Sequence, residues 1–139
     1  MPISHEWADE THTKVCITLK GQVEYADYYA GDIRMCDMLD GVNHPVDVIC
    51  DYRHHWFFEP GYADWVQEME SIFRPNLRSA IYVGNKMAWE LFNLFTQKYK
   101  SVGFVCTYVE TMEEAHQVIE QIRSGRWDNS TFSNDPKWN

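Results

Sequence analysis

The stretch Val46-Asp47-Val48-Ile49-Cys50-Asp51-Tyr52 follows Pro45 and ends where the chain turns polar. An apolar run this short, bounded by turn residues, has the length of a strand and reads as a buried central one. The segment after it, Arg53-His54-His55-Trp56-Phe57-Phe58, reads as a loop carrying a cation, two imidazoles and three large aromatics. The remaining elements are expected to form a scaffold around this strand and the loop it delivers.

Ahead of it, Ile3 to Trp7 and Val15 to Leu19 read as two short strands joined by the polar segment Ala8 to Lys14, which suits an antiparallel hairpin with a long connection. From Val23 to Leu39, Ala26, Tyr29, Ile33, Cys36 and Leu39 recur at helical spacing, and Gly41 stands where a left-handed terminating residue is expected. Asp27, Asp32, Asp37 and Asp40 lie mostly off that stripe and read as a solvated acidic surface.

A second helix is expected over 61–73, with Pro60 near its first turn and Tyr62, Trp65, Val66, Met69 and Ile72 or Phe73 inward. Ser79 to Val83 reads as a strand, and Asn85 as the N-cap of a third helix whose stripe is Ala88, Leu91, Phe92, Phe95 and Tyr99. Val102 to Cys106 reads as the last strand. Thr111-Met112-Glu113-Glu114 is a capping-box pattern opening a fourth helix, with Ala115, Val118, Ile119 and Ile122 inward and Gly125 closing it. The order β-β-α-β-α-β-α-β-α implies an α/β domain over 1–124: a single, mainly parallel five-stranded sheet, one antiparallel edge strand and about four helices. Residues 125–139 form a polar tail in which Trp127, Phe132 and Trp138 are spaced.

At 139 residues the chain is one domain's worth. Its formal net charge of -9 argues against nucleic acid and anionic headgroups, which want clustered Lys and Arg. No apolar run reaches the roughly 20 residues needed to span a bilayer, and Met1 to Glu10 lacks the pattern of a secretory signal. The expectation is a cytoplasmic protein. Cys16, Cys36, Cys50 and Cys106 are widely spaced and without a C-x-x-C, which reads as core thiols rather than disulfides or a metal centre.

The element order, Asn43-His44-Pro45-Val46-Asp47-Val48-Ile49-Cys50-Asp51, Arg74-Pro75-Asn76, Tyr82-Val83-Gly84 and Val109-Glu110-Thr111-Met112-Glu113-Glu114-Ala115 together resemble the SpoIIAA-like (STAS-related) proteins of bacteria. The resemblance covers roughly residues 1 to 124. It implies a SpoIIAA-like α/β sandwich serving as a binding or regulatory domain. The anti-sigma factor antagonists of that group work through a phosphorylated serine in an Asp-x-Ser context. Here Asp51 stands in the aspartate's place, but Arg53 follows, and no Ser or Thr occurs between Asp51 and Ser71. The phosphorylation switch therefore does not carry over.

Ligands of open α/β sheets sit beyond the carboxyl ends of the parallel strands, so Asp51 to Phe58, Gly84 to Lys86 and Thr107 to Glu110 are expected to converge. Asp51 has Arg53, His54 and Lys86 as candidate ion-pair partners. His54 and His55 point to opposite sides of an extended chain, so a metal would need His5, His12, His44 or His116 brought in by folding. Trp56-Phe57-Phe58 either packs onto the second helix or forms an exposed interaction patch. The phosphate-binding glycine loops and the G-x-S-x-G elbow are absent. Cys50, alternating with Asp51, is expected on a sheet face and unsuited to nucleophilic work.

The resulting expectation is a non-enzymatic module without cofactor or metal. It would engage a protein partner, or a second copy, through Asp51, Arg53, His54, His55, Trp56, Phe57, Phe58, Asn85 and Lys86. The alternatives are a carrier of a small apolar or lipid-like ligand between sheet and helices, for which an aromatic content of 15% leaves room, and a small hydrolase built on Asp51, His54 and His55.

Overall fold

The computed structural model describes residues 2–57, 74–95 and 105–127. Five strands, β1 (Ile3–Trp7), β2 (Lys14–Gln22), β3 (Val46–Phe57), β4 (Leu77–Val83) and β5 (Val105–Val109), form one sheet in the order β1-β2-β3-β4-β5. β1 and β2 pair antiparallel, and all other neighbours are parallel. The described helices are α1 (Tyr25–Asp40), α2 (Lys86–Phe95) and α3 (Met112–Arg123). Three helices thus stand where about four were expected; the one expected over 61–73 lies outside the described residues, as do Tyr99 and the tail beyond Trp127. Trp127 itself is half-buried and packs against the core.

β3 is the middle strand, as its apolar run requires, and Val46, Val48, Ile49, Cys50 and Tyr52 are all buried in it. The register puts Val48, Cys50, Tyr82 and Tyr108 on one face and Asp47, Ile49, Ile81 and Thr107 on the other. α1 and α2 cover the first face: Gly31 of α1 lies against His5, and the Trp89 ring of α2 lies 6.5 Å from that of Tyr108. α3 covers the second with Ala115, Val118 and Ile119, all buried.

Several boundaries and faces differ from the sequence reading: β2 reaches Gln22 rather than Leu19, and β4 starts at Leu77 rather than Ser79. β5 continues past Cys106 to Val109, where it pairs with Val83, while 102–104 of the expected strand lie outside the described residues. In α1 the buried stripe is Tyr28, Met35 and Leu39, not Ala26, Tyr29 and Ile33, which are exposed. Both sets have helical period. Gly31 decides between them, since it shares the Tyr28–Met35 side and a Cβ there would come 3.3 Å from His5 Cε1, so only this face lies close to β1. Gly41 ends α1 in a right-handed conformation (φ -78°), its N–H donating to Asp37 O at 3.0 Å. The left-handed terminator is found instead after α3, at Gly125 (φ 73°).

The acidic residues of α1 are not simply solvated. Asp27 Oδ2 accepts from the Glu24 N–H at 2.9 Å, and Asp40 accepts a bidentate pair from Arg74 at 2.9 and 3.2 Å. α3 opens as its sequence predicts, Thr111 Oγ1 accepting from the Glu114 N–H at 3.1 Å, while the Glu114 carboxylate takes the threonine hydroxyl at 3.0 Å. Of the four thiols only Cys50 is buried; Cys16, Cys36 and Cys106 are half-buried, and none of the four is in a disulfide.

His5 lies between β1 and α1, and burial together with Arg34 pushes its imidazole down to about 4. A group that binds its proton near 6.5 unfolded and near 4 folded favours the native state fully above pH 6.5 and loses that contribution as pH falls to 4. His55 and His116, also depressed by burial, add losses of the same sign. Urea unfolding at pH 7.5 and 4.5 should therefore show a falling stability. His5→Gln should remove about 2 kcal/mol of that fall, the shift being discounted for partial solvent screening. An unchanged fall in the variant would place the effect elsewhere.

Candidate functional site

The parallel strands end together at one rim of the sheet, and the rim is built differently from the sequence reading. Arg53 to Phe57 is not a loop: β3 continues through these residues. Its pairing with β4 stops at Asp51 opposite Val83, and its pairing with β2 goes on to Gln22 opposite Phe57. The register slips between Thr18 and Lys20 and again between Gly21 and Gln22, each slip adding a residue on β3. Such bulges re-aim side chains. After the first, His55 points inward with Tyr52 and is buried, whereas Arg53 and His54 are exposed. Breaks in the alternation hide a strand from period-2 reading, which is why this extension looks like a loop. The side chains of Trp56 and Phe57, and all of Phe58, lie outside the described residues.

An aromatic column anchors the extension. The Tyr52 ring stacks on Tyr82 (centroids 5.4 Å, interplanar 14°) and meets His55 edge-on at 5.3 Å. His55 Nε2 lies 2.9 Å from the Tyr28 hydroxyl, so the column reaches α1.

Asp51 pairs with Arg53 and not with Lys86. Arg53 Nε donates to Oδ1 and Nη2 to Oδ2, both at 2.9 Å, and the Arg53 backbone N–H adds 3.1 Å to Oδ1. Burial of Asp51 works to raise its pKa, but the hydrogen bonds from Arg53 outweigh it and hold the carboxyl below its usual range. Lys86 lies 3.8 Å from Glu90, one turn along α2.

Gly84 has φ +76°, and the Arg53 stem crosses directly over it, its Cα 3.2 Å from where a Cβ would stand. The Gly84 N–H donates to Val109 O at 3.0 Å. Asn85 caps α2 as its position predicts, Oδ1 accepting from the Ala88 N–H at 3.2 Å, and its Nδ2 reaches the His55 carbonyl at 3.3 Å. The three segments expected to converge are therefore in contact: Arg53 on Gly84, Asn85 on His55, and Gly84 on Val109.

Cys50, directly before Asp51, is buried, and desolvation pushes its thiol well above the ordinary range. Among the described residues no group of three His, Cys, Asp or Glu side chains is placed to hold a metal ion.

A second polar centre, at the opposite end of the sheet, escaped the sequence reading. Asp47 is fully buried. Arg78 donates to both of its oxygens (Nε–Oδ1 3.0 Å, Nη2–Oδ2 2.6 Å), Arg123 Nε donates to Oδ2 at 3.1 Å and Ser79 Oγ to Oδ1 at 2.7 Å. Arg123 Nη2 also donates to the carbonyl and hydroxyl of Thr13 at 3.1 and 3.0 Å. Burial works to raise the Asp47 pKa, and the donors from Arg78 and Ser79 overcome it, so the carboxyl stays charged well into acid. The available signal was an aspartate inside an apolar strand, which obliges partners to exist somewhere in the chain.

No protein-family model matches the chain, and no curated protein is significantly similar to it. No helix among the described residues is long and apolar enough to cross a membrane.

Proposed function

We propose that this chain is a non-enzymatic binding module of SpoIIAA-like type that presents the rim around Arg53, His54, Asn85 and Lys86 to a protein partner. The observation that carries the reading is the projection of β3 beyond β4, fastened by Asp51–Arg53 and by Asn85 on the His55 carbonyl. Exposed Arg53 and His54 are thereby held on a strand instead of a loop, with Met87 of α2 exposed two positions after Asn85. Preordered side chains cost little entropy on association, and arginine is among the residues that dominate interface energies. Asp51 accepts three hydrogen bonds and is held in its charged form, which suits a positioning role better than proton transfer at neutral pH. The element order and the antiparallel edge strand support the SpoIIAA-like assignment.

A photo-crosslinking residue in place of His54, in cells expressing the full chain, should yield one discrete protein adduct that Lys86→Glu weakens at least tenfold. The same crosslinker in place of exposed Ile33 should not yield that adduct. Smeared or absent adducts at position 54, or equal adducts at both positions, would sink the reading; an adduct of twice the chain's mass would identify the partner as a second copy.

A further inference from the structure

β1 borders the sheet, and among the described residues no strand lies on its outer side. The Lys20 N–H donates to Pro2 O at 2.9 Å and the Ala8 N–H to Lys14 O at 2.8 Å. In an antiparallel ladder such bonds recur at every second residue, so Ser4 and Glu6 also bond inward, to Thr18 and Cys16. The N–H and C=O groups of Ile3, His5 and Trp7 therefore point out of the sheet, and no described residue takes them up. Natural edges are usually blunted by a proline, a lysine or a bulge. β1 has none of the three within Ile3–Trp7, and its pairing with β2 keeps one register throughout.

This edge is complementary to itself. An antiparallel copy set with its own His5 opposite this one places Ile3 against Trp7 on either side, and all of these residue pairs exchange both backbone hydrogen bonds across a two-fold axis. On one face Ile3 then meets Trp7, and on the other Ser4 meets Glu6, a hydroxyl against a carboxylate, so no like charges are opposed. α1 obeys the same axis. Gly31 lies over His5, where a Cβ would come 3.3 Å from Cε1. Asp27 and Arg34, one turn before Gly31 and one turn after it, stand on the same side of the helix beside Ile3 and His5. A two-fold axis at His5 runs α1 antiparallel to its copy and turns Arg34 of each toward Asp27 of the other. Arg34 is exposed and makes no ion pair among the described residues. A strand from an unrelated protein would satisfy the backbone groups but not these helix charges. We infer that the chain forms a two-fold homodimer through β1, joining two sheets into one, with Asp27–Arg34 contacts between the two α1 helices.

Sedimentation equilibrium of the full chain at pH 7.5, over a hundredfold range of concentration, should follow a monomer–dimer equilibrium. Amide hydrogen exchange, read by NMR at both ends of that range, locates the contact without any variant. The Ile3, His5 and Trp7 amides should exchange at least tenfold more slowly in the dimer, while Ser4 and Glu6, bonded within the chain, change little. Arg34→Glu and Asp27→Lys should each weaken dimerisation at least tenfold by setting like charges together. Mixed one to one, the two variants should associate nearly as tightly as the native chain, since each supplies the charge the other lacks. A chain that stays monomeric throughout, which would leave the edge to a strand of another protein, overturns the inference. So does a dimer in which the three outward amides still exchange fast, or a mixture of folded variants no tighter than either alone.

Discussion

Asp47→Ala should lower the free energy of unfolding by about 3 kcal/mol or more, the largest effect expected of any single change outside the apolar core. Removing one member of a buried ion cluster costs about 3–5 kcal/mol because the others are left desolvated and unpaired. The lower part of that range applies here, since the side chains of Arg78 and Arg123 are 31% and 28% exposed and can turn partly to water. Arg123→Ala should cost less, about 1–2 kcal/mol, because Asp47 keeps Arg78 and Ser79. Urea unfolding of the two single variants and the double variant measures the coupling directly; the double should be far less destabilised than the sum of the singles. Full additivity would mean that the cluster does not act as a unit. The cluster's pH dependence also has a definite sign. The Asp47 pKa lies below its unfolded value, so its contribution is complete above about pH 4 and disappears as pH falls through the folded value. That window lies below the one governed by His5, and the two losses should appear as separate steps.

Gly84→Ala should be nearly as damaging, about 2–3 kcal/mol, and should disorder the rim before the rest of the sheet. The strain of a side chain at φ +76° accounts for about 1–2 kcal/mol, and the collision with the Arg53 stem supplies the remainder. The two parts can be separated. In an Arg53→Ala background the clash with the stem is gone, so Gly84→Ala should cost about 1 kcal/mol less, while the φ penalty and the 3.2 Å approach of the Arg53 Cα persist. If Gly84→Ala costs the same in both backgrounds, Arg53 does not lie over Gly84 in solution.

Much of the architecture follows from short-range pattern. β3 announces itself through its apolar run, Asn85 and Thr111 through their capping chemistry, and α3 through Ala115, Val118 and Ile119 at helical spacing. Where the sequence misled, two readings had equal local support. α1 carries two apolar stripes, and only the proximity of His5 to Gly31 selects one. The last strand carries polar Thr107 before Tyr108 and Val109, and only its pairing with β4 shows that it runs on to Val109. β3 beyond Asp51 fails the alternation test because bulges interrupt it.

The candidate rim shows the same division. Asp51 and Arg53 stand two positions apart, and Arg53 was among the ion-pair partners the sequence offered for Asp51. The inward turn of His55 toward Tyr28 depends on a bulge and on a helix 27 residues away. The Asp47 cluster showed in the sequence only as an aspartate within an apolar strand, without its partners. Its guanidinium partners lie 31 and 76 residues along the chain, and nothing near Asp47 hints at either.

That last separation bears on how the protein is made. Arg123 belongs to α3, yet it closes a contact with Thr13, 110 positions earlier, and neutralises a charge in the middle strand. On the ribosome, Asp47 is synthesised long before Arg123 emerges. Until then only Arg78 and Ser79 offset the burial of that carboxylate. The contact that completes the cluster is therefore delivered only with α3, so the sheet cannot lock strand by strand as β1 to β4 emerge.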